Sequence, residues 1–262
     1  MNAKLEAFQR LLDIMDQLRE HCPWDKKQTF ETLRILTIEE TYELADAILK
    51  NDMPELKKEL GDVLLHIVFY AKMGDEIGAF DITDVINSLC EKLIFRHPHI
   101  FGDEHLPDQE AVKQRWEELK MKERGREKSI LSGVPDALPA MVKASRIQSK
   151  VRAVGFDWDK PEDAWLKVEE ELGELKHEIF TNAPKELVEA EFGDLFFSLI
   201  NTARLYNIDP ETALERTNLK FKRRFEYLEQ QTLMKGLDLK DMSLAEMDVY
   251  WNEAKKMERD AQ

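Results

Sequence analysis

The sequence predicts an all-α protein that consists of two tandem copies of one helical domain. Apolar residues recur at helical spacing in nearly every long segment, and strand signals are almost absent. An acidic motif set among apolar residues occurs twice in the same order, which indicates an internal duplication. The composition, with 43% hydrophobic and 35% charged residues, is typical of a helical globular protein.

The apolar spacing predicts a series of helices in each half of the chain. They cover residues 3–20, 32–50, 53–76, 82–97 and 109–124 in the first half, and residues 139–153, 161–181, 185–206, 210–235 and 243–259 in the second. A stretch containing Gly, Ser and Pro separates the two series. We therefore expect domains at 1–124 and 139–262, joined by a linker at 125–138.

The second half repeats landmarks of the first half in the same order. The matching pairs are Trp24-Asp25 with Trp158-Asp159, Glu39-Glu40-x-x-Glu43 with Glu170-Glu171-x-x-Glu174, Glu59-Leu-Gly-Asp62 with Glu191-Phe-Gly-Asp194, Lys92-x-x-x-Arg96 with Lys220-x-x-x-Arg224, and Trp116-x-x-x-Lys120 with Trp251-x-x-x-Lys255. One Glu-x-x-Asp means little in so acidic a chain, but five landmarks in the same order indicate a duplicated domain.

Charge and cysteine content narrow the class of protein. The formal net charge is −15, so we expect neither a nucleic-acid surface nor binding to an anionic membrane. The two cysteines form no disulfide framework and no Cys-x-x-Cys motif, which fits a reducing compartment. The first residues lack the apolar stretch of a signal peptide, and the longest apolar run is too short to span a bilayer. We therefore expect a cytoplasmic protein.

The repeated acidic residues predict a metal site in each half. Residues three apart share one face of a helix, so each motif projects two carboxylates together. The helices that carry the motifs are joined by short connections and should pack antiparallel, which would bring four carboxylates together. The candidate ligands are Glu40, Glu43, Glu59 and Asp62 in the first half, and Glu171, Glu174, Glu191 and Asp194 in the second.

These carboxylates need a compensating charge. The Glu-x-x-Asp motif of each half lies in a strongly apolar run, where an unpaired charge is costly. Hard oxygen ligands suit Mg²⁺, so we expect metal-assisted phosphate chemistry. A second interpretation is that buried Lys or Arg side chains pair with the carboxylates and no metal is bound.

Basic and aromatic residues recur behind the acidic motifs. Lys92 and Arg96, like Lys220 and Arg224, lie one helical turn apart and are candidates for binding phosphate. A Trp face could stack on a base while a Lys one turn later reaches a phosphate, which makes Trp116, Lys120, Trp251 and Lys255 further candidates. Ordinary surface charge and tryptophan packing are the alternatives. No glycine-rich phosphate loop and no nucleophile elbow occurs in the sequence.

Together with Cys22-Pro-Trp-Asp25, Arg96-His-Pro-His-Ile-Phe101 and Gly155-Phe-Asp-Trp158, the acidic motifs resemble the MazG family of nucleoside triphosphate pyrophosphohydrolases over essentially the whole chain. The resemblance implies an all-α, four-helix-type fold that forms its site partly by homodimerisation. It also implies Mg²⁺-dependent hydrolysis of a nucleoside triphosphate to the monophosphate and pyrophosphate. By matching position, it implies the metal ligands Glu171, Glu174, Glu191 and Asp194 and the substrate contacts Lys220, Arg224, Trp251 and Lys255.

A hypothesis for the mechanism follows from these roles. Glu170 or Glu171 would accept a proton as water attacks the α-phosphorus, while Lys and Arg side chains stabilise the departing pyrophosphate. Both halves keep the acidic residues, but the more basic segment Lys220–Arg224 favours the second half as the catalytic one. The first half would then serve dimerisation, binding of a protein partner, or regulation.

Two other functions stay open at this point. A relative with narrower substrate choice, such as a dUTP pyrophosphatase or a phosphoribosyl-ATP pyrophosphohydrolase, shares an acidic helical core, although the two-domain layout argues against the second. A helical protein that binds nucleotide or a partner without catalysis is the other alternative. The eight carboxylates present in the two halves argue against it, because a scaffold needs no buried acidic cluster.

Overall fold

The computed structural model describes residues 2–109, 111–112, 115–116, 118–119 and 129–260. The chain divides into two compact units, Met1–Glu123 and Arg124–Gln262. The described residues form helices, turns and loops and contain no strand. The predicted all-α fold is therefore confirmed. A bilayer-spanning helix is not found among the residues that the structure describes.

Up to Phe101, the described residues of the first unit form four long α-helices and one short one. They are α1 (Ala3–His21), α2 (Phe30–Lys50), α3 (Met53–Glu76), α4 (Ile82–Arg96) and the short α5 (Pro98–Phe101). The side chains of Asn2, Thr29, Asp52 and Asp81 accept hydrogen bonds from backbone amides in the first turns of α1 to α4. The described residues between 109 and 119 are helical, and the last residues of the helix predicted there, 120–124, lie outside the described residues.

The core of the first unit lies between α1, α2 and α3. Met15, Leu33, Val68, Phe69 and Met73 form one buried cluster. Helices α2 and α3 pack along each other and are joined only by residues 51–52, so they run antiparallel. This packing places the acidic motifs of the two helices side by side.

The second unit repeats this arrangement. Its helices are α6 (Ala140–Arg152), α7 (Pro161–Phe180), α8 (Lys185–Leu205), α9 (Pro210–Met234) and α10 (Leu244–Asp260). Helices α7 and α8 pack along each other as α2 and α3 do, and α9 packs against α10. Ala164, Val168, Leu175, Ile200 and Leu228 are buried in this unit.

The turns that join the paired helices also match. Asn51 follows α2 with φ 55°, and Asn182 lies between α7 and α8 with φ 53°. Asparagine is one of the few residues besides glycine that adopts this left-handed conformation readily. The duplication seen in the sequence is thus present in the fold, down to the residue that reverses the chain.

The two units differ after the paired helices. In the first unit α4 ends at Arg96, because Pro98 cannot continue its hydrogen-bond pattern. In the second unit α9 continues past Arg224 to Met234. Part of the predicted linker is ordered: Ile130–Gly133 forms a 3₁₀ turn, and Lys150 Nζ donates to the carbonyl of Ile130 at 3.3 Å. The predicted boundaries 125–138 stay a prediction, since residues 125–128 are outside the described residues.

Candidate active site

Each unit brings three carboxylates together between its paired helices. Carboxylate oxygens of Glu40 and Glu43 on α2 and of Glu59 on α3 lie within 4.8 Å of one another. Oxygens of Glu171 and Glu174 on α7 and of Glu191 on α8 do the same. We call these sets the first and the second acidic cluster. They contain six of the eight predicted metal ligands, held by two antiparallel helices in each unit.

Asp62 and Asp194, the fourth predicted ligands, are not members of these clusters. They still influence them electrostatically. Burial raises the pKa of Glu40, and the negative charges of Asp62, Glu43 and Glu59 raise it further. Burial likewise raises the pKa of Glu191, with further contributions from the charges of Glu174, Asp194 and Glu171. In each cluster, burial and acidic neighbours thus raise the pKa of one carboxylate.

Two carboxylate oxygens in these clusters lack a hydrogen-bond partner. Glu59 is 1% exposed, and its Oε2 is buried without a partner in the described part of the chain. The Oε2 atom of Glu191 is in the same position in the second unit. Leaving such an atom unpaired is costly, and a bound cation would remove that cost. Three neighbouring carboxylates, one of them with an unpartnered oxygen, fit a hard divalent ion such as Mg²⁺.

Each cluster has one lysine that the sequence reasoning did not identify. Lys58 Nζ lies 2.8 Å from Oε1 of Glu55 and 2.8 Å from Oε1 of Glu59. Lys167 Nζ lies 2.8 Å from Oε1 of Glu170 and 2.7 Å from Oε1 of Glu171. One carboxylate of each cluster is thus paired with a lysine, but these lysines are 59% and 39% exposed, not buried as the second interpretation required.

The two candidate bases occupy different environments. Glu171 is 6% exposed and belongs to the second acidic cluster, whereas Glu170 is exposed and pairs with Lys167 outside that cluster. Glu171 has a carboxylate oxygen within 4.8 Å of oxygens of Glu174 and Glu191, close enough to share a water or a metal ion with them. The choice between the two stays a prediction.

In the second unit, Arg224 on α9 is fixed by α10. Its guanidinium donates to Oε2 of Glu258 and lies 5.7 Å from the ring centroid of Trp251. The rings of Phe221 and Trp251 are 4.9 Å apart. Helix α9 also packs against α8, the helix of Glu191. Of the other predicted substrate residues, Lys220 is exposed and Lys255 is half-buried.

The first unit repeats the contact between arginine and tryptophan. The guanidinium of Arg96 lies 5.4 Å from the ring centroid of Trp116. Lys92 is exposed, and Lys120 lies outside the described residues. In both units, the arginine of the Lys-x-x-x-Arg motif thus contacts the tryptophan of the Trp-x-x-x-Lys motif. An arginine stacked on tryptophan is therefore a shared feature of the duplicated domain.

Glu258 is a further residue that sequence reasoning missed. It follows Lys255 by three positions and Trp251 by seven, so all three lie on one face of α10. That spacing is a signal that could have identified it. The contact with Arg224, however, depends on how α9 and α10 pack.

The similarity to known proteins agrees with this geometry. A model of the MazG nucleotide pyrophosphohydrolase domain matches the chain twice, at residues 28–101 and 160–228. The two segments together cover more than half of the chain. The chain belongs to the MazG nucleotide pyrophosphohydrolase family. This membership confirms the family resemblance and the prediction that the chain is an enzyme, a hydrolase.

Known proteins from three bacteria are similar to nearly the whole length of this chain. The nucleoside triphosphate pyrophosphohydrolase/pyrophosphatase MazG of Thermotoga maritima is 47% identical over 251 residues, which are 95% of each chain. The nucleoside triphosphate pyrophosphohydrolase of Escherichia coli K12 is 40% identical over 262 residues, 98% of this chain and 100% of that one. The protein YabN of Bacillus subtilis is 46% identical over 256 residues, 96% of this chain and 52% of that protein.

Both acidic clusters lie inside the segments that match the MazG domain, and so do Arg96 and Arg224. Trp116 and Trp251, on which these arginines stack, lie outside the matched segments. The MazG domain thus occurs twice, which confirms the predicted tandem duplication.

Proposed function

We propose that the protein hydrolyses nucleoside triphosphates between the α- and β-phosphates, with Mg²⁺, to the nucleoside monophosphate and pyrophosphate. The observation that carries this proposal is the pair of acidic clusters, each with a buried carboxylate oxygen that has no partner among the described residues. The names of the Thermotoga and Escherichia relatives support nucleoside triphosphates as the substrates.

The residues that would hold Mg²⁺ are Glu171, Glu174 and Glu191 in the second cluster and Glu40, Glu43 and Glu59 in the first, with Asp194 and Asp62 nearby. When bound, Mg²⁺ supplies charge neutralisation for the triphosphate and lowers the pKa of a bound water. Glu171 is placed to accept a proton from the attacking water, because it is buried and belongs to the cluster.

The basic residues behind the second cluster would bind the departing pyrophosphate. Arg224 is held in place by Glu258 and Trp251, so it would lose less side-chain freedom when its remaining N–H donors bind a phosphate. Lys220 lies one turn before it on α9, where its exposed ammonium group can reach a phosphate oxygen. These contacts favour the second unit as the main catalytic one, with a regulatory or partner-binding role for the first.

A homodimer is part of the proposal. Leu60, Leu64 and Ile67 form an exposed stripe on α3, 53%, 39% and 45% exposed. Phe192, Phe196 and Leu199 form the same stripe on α8, 42%, 57% and 39% exposed. Exposed apolar stripes at helical spacing are typical of surfaces that pack against another helix. The stripes begin directly after Glu59 and Glu191 in the sequence, so a second copy packed on a stripe would lie close to an acidic cluster. The cytoplasmic location stays a prediction.

Product analysis by chromatography tests the proposed reaction. The purified chain is incubated with each common ribo- and deoxyribonucleoside triphosphate, with Mg²⁺ and with EDTA. Monophosphate with pyrophosphate, lost in EDTA, is the expected outcome, and relative rates across the nucleotides would reveal a narrow preference such as dUTP. Diphosphate with inorganic phosphate would contradict cleavage between the α- and β-phosphates. An absence of any product would instead favour a non-catalytic nucleotide-binding protein.

A further inference from the structure

The lysines beside the two acidic clusters make the same kind of contact. Lys58 bridges Glu55 and Glu59, and Lys167 bridges Glu170 and Glu171, with every Nζ–oxygen distance between 2.7 and 2.8 Å. In each unit the lysine contacts the one cluster carboxylate that is buried, Glu59 at 1% and Glu171 at 6% exposure. The ammonium group therefore compensates the charge that is hardest to solvate.

The two lysines do not come from matching positions of the duplicated domain. Lys58 directly precedes Glu59 on α3, and aligning the Glu-x-x-Asp motifs places Ala190 at that position in the second unit. Lys167 lies four residues before Glu171 on α7, and aligning the Glu-Glu-x-x-Glu motifs places Leu36 there in the first unit. The contacted carboxylates do not match either, because Glu59 corresponds to Glu191 and Glu171 to Glu40. Each unit thus has its own lysine contact, which is not explained by inheritance from a common ancestral domain.

Each lysine can leave its cluster easily. The side chains of Lys58 and Lys167 are 59% and 39% exposed, so water can solvate the ammonium groups once they move away. A divalent ion brings twice the charge of an ammonium group and can bind several carboxylates at once. A lysine and a divalent ion at the same buried carboxylate repel each other.

We propose that Lys58 and Lys167 are built-in counter-ions that compensate part of the negative charge of the acidic clusters until a divalent cation displaces them. The inference rests on the metal site of the proposed function. Each lysine then stabilises the metal-free protein and weakens the affinity for metal. The clusters stay folded without metal, and they bind it less tightly than the carboxylates alone would.

The test compares a double variant, Lys58→Met with Lys167→Met, to a control of equal charge, Lys50→Met with Lys222→Met. Lys50 and Lys222 pair with Asp46 and Glu226 one helical turn away and lie outside both clusters. The affinity for Mn²⁺ is measured from the electron paramagnetic resonance signal of the free ion, and that for Mg²⁺ by calorimetry. Unfolding by urea in EDTA measures the stability of the metal-free chain.

The double variant at the clusters should bind Mn²⁺ and Mg²⁺ roughly threefold or more tightly than the control variant, because a nearby positive charge is gone. In EDTA it should unfold at a lower urea concentration than the control. A second double variant, Lys58→Gln with Lys167→Gln, retains an N–H donor and should change metal affinity in the same direction if methionine prevents folding.

Equal or weaker metal binding by the cluster variants, relative to the control, would overturn the inference alone and leave the metal site standing. A wild-type chain that takes up neither ion would overturn the proposed metal site and this inference with it.

Discussion

Arg224 on α9 donates two hydrogen bonds to one carboxylate oxygen of Glu258 on α10, from Nε at 2.8 Å and from Nη2 at 2.6 Å. Its guanidinium also stacks on Trp251. An arginine held from two sides is pre-oriented, which lowers the entropy lost when it binds an anion. Two side chains of α10 thus hold Arg224, a predicted substrate residue of α9, in place.

The Glu258→Gln variant tests this positioning role. The loss of the carboxylate charge should loosen Arg224 and raise KM for the nucleotide by about threefold to tenfold, with a smaller change in kcat. Glu253→Gln on the same helix is the control, since Glu253 contacts Tyr227 and not Arg224. Steady-state kinetics of both variants make the comparison. Equal KM values for the two would show that Glu258 does not position Arg224 for substrate.

The unequal roles of the two units predict unequal effects of matched substitutions. Glu171→Gln should lower kcat by about a hundredfold or more, because it removes a cluster carboxylate and the candidate base. Glu40→Gln, the matching change in the first unit, should cost less than about tenfold. Glu169→Gln, on the exposed face of α7, is the control. A larger loss from Glu40→Gln would assign the main activity to the first unit.

The arrangement of helices and most of the site could be predicted from the sequence. Apolar spacing located every long helix to within about two residues at the ends that the structure describes. The Glu-Glu-x-x-Glu and Glu-x-x-Asp motifs indicated which faces meet, because a two-residue turn after Lys50 leaves only antiparallel packing. Carboxylates three residues apart on paired helices then had to come close to one another.

The remaining features depend on side-chain length and conformation. Asp62 and Asp194 were predicted as ligands equal to the others, but aspartate is one methylene shorter than glutamate, and the structure leaves both outside the clusters. Lys58 and Lys167 were missed because their matching positions hold Ala190 and Leu36, so the repeat offered no hint. The contact between Arg224 and Glu258 was not predictable either, because it requires the packing of α9 on α10.

An ion pair between α1 and α3 gives the stability of the first unit a defined pH dependence. Arg19 on α1 donates to Glu76 at the end of α3, from Nε at 2.9 Å. The hydrogen bond from Arg19 lowers the pKa of Glu76 below its ordinary value of 4.5. The stabilisation that this ion pair provides is therefore complete at pH values above the ordinary pKa of a glutamate. It is lost as the pH falls through the lowered pKa of Glu76.

The Glu76→Gln variant should show this dependence in urea unfolding. The difference in free energy of unfolding between wild type and variant should be largest near neutral pH and should shrink below about pH 4.5, where the unfolded state begins to bind the proton. Glu20→Gln on the exposed surface of α1 is the control. A difference that stays constant down to low pH would contradict a lowered pKa for Glu76.

The exposed stripes on α3 and α8 predict how the chain self-associates. Leu64→Glu and Phe196→Glu each place a charge in a stripe that a second copy would have to bury, which is costly. Light scattering coupled to size exclusion should show a dimer for wild type and a shift toward monomer for both variants. Leu5→Glu, at an exposed apolar residue of α1, should leave the mass unchanged. A wild-type chain that elutes as a monomer at every concentration would contradict the proposed dimer.

The position of oxygen from water reports which phosphorus atom is attacked. With H₂¹⁸O as solvent, attack at the α-phosphorus places the label in the nucleoside monophosphate, and attack at the β-phosphorus places it in pyrophosphate. We expect the label in the monophosphate, as read by mass spectrometry of the separated products. Label found mainly in pyrophosphate would require the carboxylates to direct water to the other phosphorus.

The most direct test of the acidic clusters as the catalytic centre is the turnover of the Glu59→Gln, Glu191→Gln double variant with Mg²⁺. Glu59 and Glu191 are the residues whose Oε2 atoms are buried without a partner among the described residues, and glutamine preserves their size. Circular dichroism checks that the helices are retained. We predict that formation of monophosphate and pyrophosphate falls by about a thousandfold or more in the folded variant. Turnover close to that of wild type would contradict catalysis at these clusters.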